Sequence, residues 1–233
     1  MKSLNQITAN LTHLFFPKLC LGCGSDLVQS QQLVCLHCEN HLGDFEFSAH
    51  TGNEVEKIFS GRLPILSAAS AYYFVRDSLV QQLIHQLKYG GQEELGRWMG
   101  LQMAKALKSS GRFEAVTALV PMPLFPSRQR KRGYNQAAVL CEGFSSYWTL
   151  PVLTTSVIRN RQSATQTRKT RWERWHNVEG IFQVVNSGSL ENQHVLLVDD
   201  VITTGATLEA CGDLLCKIPG LQLSVASFAF ADK

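Results

Sequence analysis

No stretch of about 18 consecutive apolar residues occurs in the 233-residue sequence, which excludes a helix of the length and apolarity needed to cross a bilayer. The first residues also lack the apolar core of a secretion signal. Lys2 is followed by Asn5, Gln6, Thr8, Asn10, Thr12 and His13, with no small-residue cleavage site after them. Leu4, Ile7, Leu11, Leu14 and Phe15 fall on one helical face, a pattern that suits a short helix packed on the protein better than a membrane anchor. The expectation is a cytoplasmic protein with no membrane insertion. Low-complexity tracts and internal repeats are missing as well. So is a strong charge imbalance: 22 Lys and Arg against 19 Asp and Glu leave a net +3, too little to single out a partner. The distribution says more. Arg128, Arg130, Lys131 and Arg132 form one basic cluster, and Arg159, Arg161, Arg168, Lys169, Arg171 and Arg174 a second. These are ten of the 22 cations, so the positive field is concentrated on two segments and draws anions there.

What is present is clearest in 195-VLLVDDVITTGAT-207. Val195 to Val198 read as a buried strand, Asp199 and Asp200 as paired carboxylates at its end, and Thr203, Thr204, Gly205, Ala206 and Thr207 as a small-residue loop opening a helix. Such a loop lets backbone N–H groups close around a phosphate, and the helix adds its N-terminal dipole. Carboxylates would repel that phosphate. At the C-terminal end of a strand they suit hydroxyl groups or Mg²⁺ instead. A phosphate at one end and a diol at the other describe a ribose 5-phosphate. A capped helix with no ligand is the plainer alternative, but two adjacent acids there are costly without a partner. No Lys follows Gly205, so this is not a Walker loop. A branched side chain at Gly205 is expected to block the phosphate while costing the fold little. The segment resembles the 5-phosphoribosyl-1-pyrophosphate (PRPP) motif of the type I phosphoribosyltransferases. That resemblance implies that Asp199 and Asp200 hold the ribose 2′- and 3′-hydroxyls and carry the catalytic role, and that Thr203, Thr204, Gly205, Ala206 and Thr207 hold the 5′-phosphate, with Mg²⁺ accompanying PRPP.

Four of the seven cysteines, Cys20, Cys23, Cys35 and Cys38, form C-x2-C-x11-C-x2-C. Two such knuckles can close a tetrahedral thiolate site around Zn²⁺, and four thiolates leave no open position, so the metal would be structural. Gly22 and Gly24 suit the tight turn that brings backbone N–H groups to the sulfurs. Redox-active dithiols or a disulfide are the alternatives, less suited to a reducing cytosol. His37 is expected to face solvent, and Cys141, Cys211 and Cys216 to be ordinary core residues. A segment this short buries too little apolar surface to fold alone, and metal binding supplies the difference.

Along the rest of the chain, strands alternate with helices. The expected elements are a strand in 65–75, helices through Leu79–Leu87 and Leu95–Met103, a strand in 115–123, a helix from Asn135 to about Trp148, a strand at 152–158, a short strand at 181–185, then the signature strand, a helix at 207–217 and a last strand at 222–230. This order predicts an α/β fold with a mostly parallel sheet flanked by helices. The expected division is residues 1–42 as an N-terminal helix and four-cysteine zinc module, 43–64 as a connecting region, and 65–233 as the main domain.

Two further segments carry chemistry. In 121-PMPLFPSRQRKRGYNQA-137, Pro121, Pro123 and Pro126 stiffen the exit from a strand, and Arg128, Arg130, Lys131 and Arg132 are expected on an exposed loop before Gly133 and a helix. Arg128, Lys131, Arg132 and Gly133 are the candidates for holding a pyrophosphate, since Arg forks match phosphate oxygens; a solvated basic loop is the alternative. Residues 159–182 form a long polar stretch with Trp172 and Trp175 among cations. Arg161, Gln166, Arg171, Trp172 and Arg174 are its candidate residues, either as a lid or as a surface for single-stranded DNA, where cations meet phosphates and Trp stacks on bases.

The whole chain resembles the ComF/GntX family. The cysteine pair, 82-QLIHQLKYGG-91, the 121–137 segment, the Arg161…Gln166…Arg174–Asn177…Gly180…Phe182 pattern and the PRPP motif occur in the same order; Ser163 stands where the family often has Thr. The resemblance implies a type I phosphoribosyltransferase-like domain behind a zinc-bearing N-terminus, with a role in natural competence or the use of external DNA. Partners implied are PRPP or a phosphorylated ribose, single-stranded DNA, and a DNA-uptake helicase or other competence proteins. One reading is a transferase moving phosphoribosyl from Mg–PRPP to an unknown acceptor. The other is a non-catalytic single-stranded DNA or nucleotide-binding module that keeps a phosphoribosyl pocket.

Overall fold

The structure, a computed structural model, describes residues 18–26, 28, 32–42, 50–160 and 180–231. Its centre is a four-stranded sheet of β1 (Ala68–Tyr73), β2 (Ala118–Pro121), β5 (His194–Ile202) and β6 (Gln222–Phe230), in the order β1-β6-β5-β2 and parallel throughout. β3 (Val157–Arg159) and β4 (Phe182–Val184) pair antiparallel as a separate ribbon. Of the expected strand at 152–158, Val152 makes only an isolated parallel bridge to Leu119, and β3 itself starts at Val157.

β5 is apolar on both faces because both are covered, which is why it reads as a continuous run and not as an alternation. Leu196 and Val198 face a core built with α3 (Leu79–Tyr89), α4 (Glu93–Ser109) and α6 (Gln136–Tyr147). Val195 and Leu197 face the opposite core, with α2 (Glu54–Phe59) and α7 (Ala206–Leu215). α3 and α6 start where a polar side chain takes up an orphan N–H: Ser78 accepts from Gln81 N and Asn135 from Ala137 N.

Two expectations need correction. The stretch 43–64 was expected to be a connection, yet α2 lies within it, capped by Asn53, and its Val55 and Phe59 are fully buried against the sheet. Six helical residues are too few to show an amphipathic period. The basic cluster, expected on a loop, lies on the short helix α5 (Pro126–Arg132). Pro126 occupies the first turn, where its missing N–H costs nothing, and the Arg, Gln and Lys that follow favour helix, with their charges at the negative end of its dipole. Gly133 takes the positive φ expected of it, 87°, but as the residue that ends α5 and not as part of a loop.

The cysteine segment is not an appendage. Cys20, Val28, Val34, Cys35 and Cys38 share one core cluster with Tyr72, Val80 and Leu83, and Trp98 of α4 donates from Nε1 to Glu39 at 3.3 Å, on α1 (Leu36–His41). No helix among the described residues is long and apolar enough to cross a membrane.

Candidate functional site

β5 ends in the site. Asp199 and Asp200 lie near its C-terminal end, followed by Thr203 and Thr204, both exposed, and by Gly205 at φ 71° leading into α7. Gly205 also lies against α2. A Cβ there would come within 2.7 Å of Ile58 and 3.0 Å of Phe59. The expectation that a branched residue at this point spares the fold is therefore wrong: Gly205→Val would be strained in its backbone and would displace α2.

The carboxylates differ in surroundings. Asp199 accepts from the Asp200 N–H at 2.8 Å. Burial, and then the Asp200 charge beside it, push Asp199 up from 3.8 to about 7, against the opposing pull of Lys88 and Arg159. Asp200 is paired: Lys88 Nζ lies 3.1 Å from its Oδ2. Lys88 is the penultimate residue of α3, and nothing in the sequence reading gave it a role. The only signal was its place in the 82–91 block, whose relation to a strand more than a hundred residues later is set by the sheet.

Arg159, at the end of β3, is the second unexpected neighbour. It is buried, its guanidinium stands 5.3 Å from the Phe182 ring centre, and its electrostatic surroundings include Asp199, Arg128 and Cys211. Burial lowers its pKa first, and the nearby Arg128 charge lowers it further. Two guanidinium groups close enough to repel each other at a strand end make a natural seat for an anion. Of the pyrophosphate candidates, Arg128 is thus brought toward the acids. Arg132 instead places its guanidinium 5.6 Å from the Tyr89 ring centre and donates to Gln136 Oε1 at 2.8 Å, while Lys131 is exposed on α5. Tyr134 donates to the Leu87 carbonyl, and Asn135 Nδ2 to that of Met122 at 3.1 Å. The 121–137 segment is therefore locked onto the end of α3 that carries Lys88. Arg161, Gln166, Arg171, Trp172 and Arg174 lie outside the described residues. Clefts of about 580 Å³, between the first cysteine knuckle and α3, and about 320 Å³, beside α2, lie elsewhere.

The sulfurs of Cys20, Cys23, Cys35 and Cys38 lie within 4.8 Å of one another. The pairs Cys20–Cys38 and Cys23–Cys35 are each 3.8 Å apart. A tetrahedron with metal–sulfur bonds of about 2.3 Å has edges of about 3.8 Å, so the cluster has the dimensions of a zinc site. Backbone N–H groups of Gly22 and Cys35 reach Cys20 Sγ at 3.4 and 3.2 Å. Burial raises the Cys20 pKa, but hydrogen bonds from Cys35, Cys23 and Gly22 outweigh it and bring it down to about 6. Burial and the neighbouring thiols push Cys38 up. Thiols held this close together give up their protons when a cation binds among them. His37 is exposed, as expected. Cys141 and Cys211 are fully buried, and Cys211 is pushed up to about 12 by burial and then by the Asp199 charge, which leaves it inert.

Residues 135–233 match the model of the phosphoribosyl transferase domain. The chain is 27% identical over 227 residues to Competence protein F of Haemophilus influenzae, covering 93% of this chain and 99% of that protein. It is 31% identical over 139 residues to the DNA utilization protein YhgH of Escherichia coli, covering 58% of this chain and 60% of the relative. Competence protein ComFC of Bacillus subtilis is 27% identical over 220 residues, covering 91% and 82%. Among solved structures, the glutamine PRPP amidotransferase of B. subtilis is similar at 18% identity and a TM-score of 0.35, over 59% of this chain and 26% of that one. A Trypanosoma cruzi hypoxanthine phosphoribosyl transferase is similar at 18% identity and a TM-score of 0.37, over 57% and 64%.

Proposed function

We propose, from the premise that this chain belongs to the ComF family, that it binds Mg–PRPP at the end of β5 and transfers its phosphoribosyl group to an acceptor, in the cytoplasm, in the service of DNA uptake or use. The observation that carries this reading is the meeting of two features at one strand end: a small-residue turn at 203–207 that opens α7, beside an acid pair in which Asp199 is pushed up to about 7 and Asp200 is paired with Lys88. Such a pair is prepared for a ligand that brings hydroxyls and a cation, and the turn for one that brings a phosphate. Asp199 and Asp200 would hold Mg²⁺, which when bound would offset the charge of the pyrophosphate. Arg128 and Arg159 would hold the leaving pyrophosphate, and Lys88, paired with Asp200, would add a further positive charge to the site. In this reading the protein's contribution is positioning and stabilisation of leaving-group charge. The four cysteines would hold a structural Zn²⁺.

Two expected results test the site. Asp200→Asn should weaken Mg²⁺-dependent PRPP binding by roughly 10- to 100-fold, the worth of a charged hydrogen bond, while inorganic phosphate binding stays as in the unaltered protein. Calorimetry with each ligand, with and without Mg²⁺, reads both; equal loss of the two would contradict the assignment of ends. The second result concerns pH. Asp199 is raised in the folded state, so its protonated form adds stability that is complete below about pH 4 and lost as pH rises to about 7. Asp199→Asn should therefore gain melting temperature over the unaltered protein between pH 4 and 7 and keep that gain above it. PRPP–Mg²⁺ needs the ionised acid, so its affinity for the unaltered protein should rise from pH 6 to pH 8 with proton release.

The second reading, a single-stranded DNA module, draws on the four exposed or half-exposed cations of α5 and on the names of the relatives. Protein that binds no phosphorylated ribose at millimolar ligand but binds single-stranded DNA with steep salt dependence would establish it in place of the first. A DNA-uptake helicase or another competence protein is the partner to test under either reading.

A further inference from the structure

We infer that Arg62 is a positioning residue for the 203–207 turn, an inference that rests on the reading of that turn as the 5′-phosphate loop. Arg62 follows α2 and reaches across to the turn and to α7. Its Nη1 donates to the Ile58 carbonyl at 3.1 Å and to the Thr204 carbonyl at 3.2 Å. Its Nε donates to Glu209 Oε1 at 3.3 Å, and Nη2 pairs with the other oxygen of that carboxylate. One guanidinium thus spans three segments: the end of α2, the middle of the turn and the first turn of α7.

Each bond answers a problem that an anion site creates. A turn that holds phosphate through N–H groups must keep its carbonyls off the anion, because a carbonyl oxygen facing phosphate repels it. Arg62 takes up the Thr204 carbonyl on the α2 side. Glu209 lies in the first turn of α7, where a helix N-terminus would otherwise favour the phosphate, and its charge competes with that anion. The fork of Arg62 neutralises it. A lysine could satisfy either the carbonyl or the carboxylate, but its point charge lacks the fork that holds both. Arg62 and Glu209 retain 39% and 26% of their side-chain exposure, so the pair's value for fold stability is modest, and its placement on the loop is what matters.

The test uses the full chain and two simple probes, ribose 5-phosphate for the turn and Mg²⁺–pyrophosphate for the opposite end. Arg62→Met is expected to weaken ribose 5-phosphate binding about tenfold and to leave Mg²⁺–pyrophosphate binding unchanged. Glu209→Gln alone should bind ribose 5-phosphate as well as the unaltered protein or better. Arg62→Met combined with Glu209→Gln should recover only part of the loss, since the Thr204 carbonyl stays unheld, and Arg62→Lys should fall between. Melting curves of each variant show whether the chain stays folded. Unchanged ribose 5-phosphate binding in Arg62→Met, full recovery in the double variant, or equal loss for both probes would each overturn the inference. Failure of the unaltered protein to bind ribose 5-phosphate would overturn it together with the phosphate-loop reading, and is distinguished by that control alone.

Discussion

Cys38→Ser should release the bound metal and unfold more than the segment that carries it. Freshly prepared, reduced protein is expected to hold about one Zn²⁺ per chain, and stripping it with a chelator should have the same effect as the substitution. The free energy at stake is large, on the order of 10 kcal/mol apparent for a structural zinc site at neutral pH. From sequence alone, the loss is expected to fall on residues 1–42 more than on the main domain. The structure removes that boundary. Cys20, Cys35 and Cys38 sit in the same buried cluster as Tyr72, Val80 and Leu83, so their collapse uncovers α3 and the edge strand β1. Because α3 carries Lys88 in its last turn, PRPP affinity should fall along with the metal, although the four cysteines belong to a different part of the fold. Metal analysis, melting curves and PRPP calorimetry on the same samples check the chain of effects. Reduced protein without zinc, or a metal-free variant that binds PRPP normally, would break it at the first or last step.

Gly143→Ala should destabilise the main domain by about 3 kcal/mol, at the upper end of what overpacking costs, and Gly100→Ala by a similar amount. α4 and α6 cross here with backbone against backbone. A Cβ on Gly143 would stand 1.9 Å from the Arg97 carbonyl oxygen, and one on Gly100 1.9 Å from that of Leu140. No rotamer relieves either contact, because the atom met is main chain, so the helices have to separate. That separation would also strain the ladder of Arg97 to Glu93, Glu94 and Glu142. The control is Gly188→Ala, at an exposed turn where the nearest atom is 3.8 Å away, which should leave stability within about 0.5 kcal/mol of the unaltered protein. Urea melts of the three variants decide it; a Gly143→Ala midpoint equal to that of Gly188→Ala would show that the crossing adapts at no cost.

The amino-acid order by itself determined whatever a local pattern can encode. β5, the acid pair and the turn at Gly205 were legible because a buried strand, two adjacent charges and a positive-φ glycine leave a mark within a dozen residues. The same holds for the cysteine spacing, whose four sulfurs come within one small volume. The alternation of strands and helices fixed the α/β class, because parallel strands need crossovers. Tertiary structure alone decided which cations serve the acids. Lys88 and Arg159 act on Asp200 and Asp199 from the ends of α3 and β3, and it is the packing of α3 and of the separate β3–β4 ribbon around β5 that brings those ends together. The same is true of α2, six residues with no readable period, which the packing of Phe59 places under Gly205 and whose neighbour Arg62 takes hold of Thr204. The raised pKa of Asp199 belongs with these. Its causes, burial and the charge of Asp200, combine a neighbour visible in the sequence with a desolvation that exists only once the sheet has been covered on both faces.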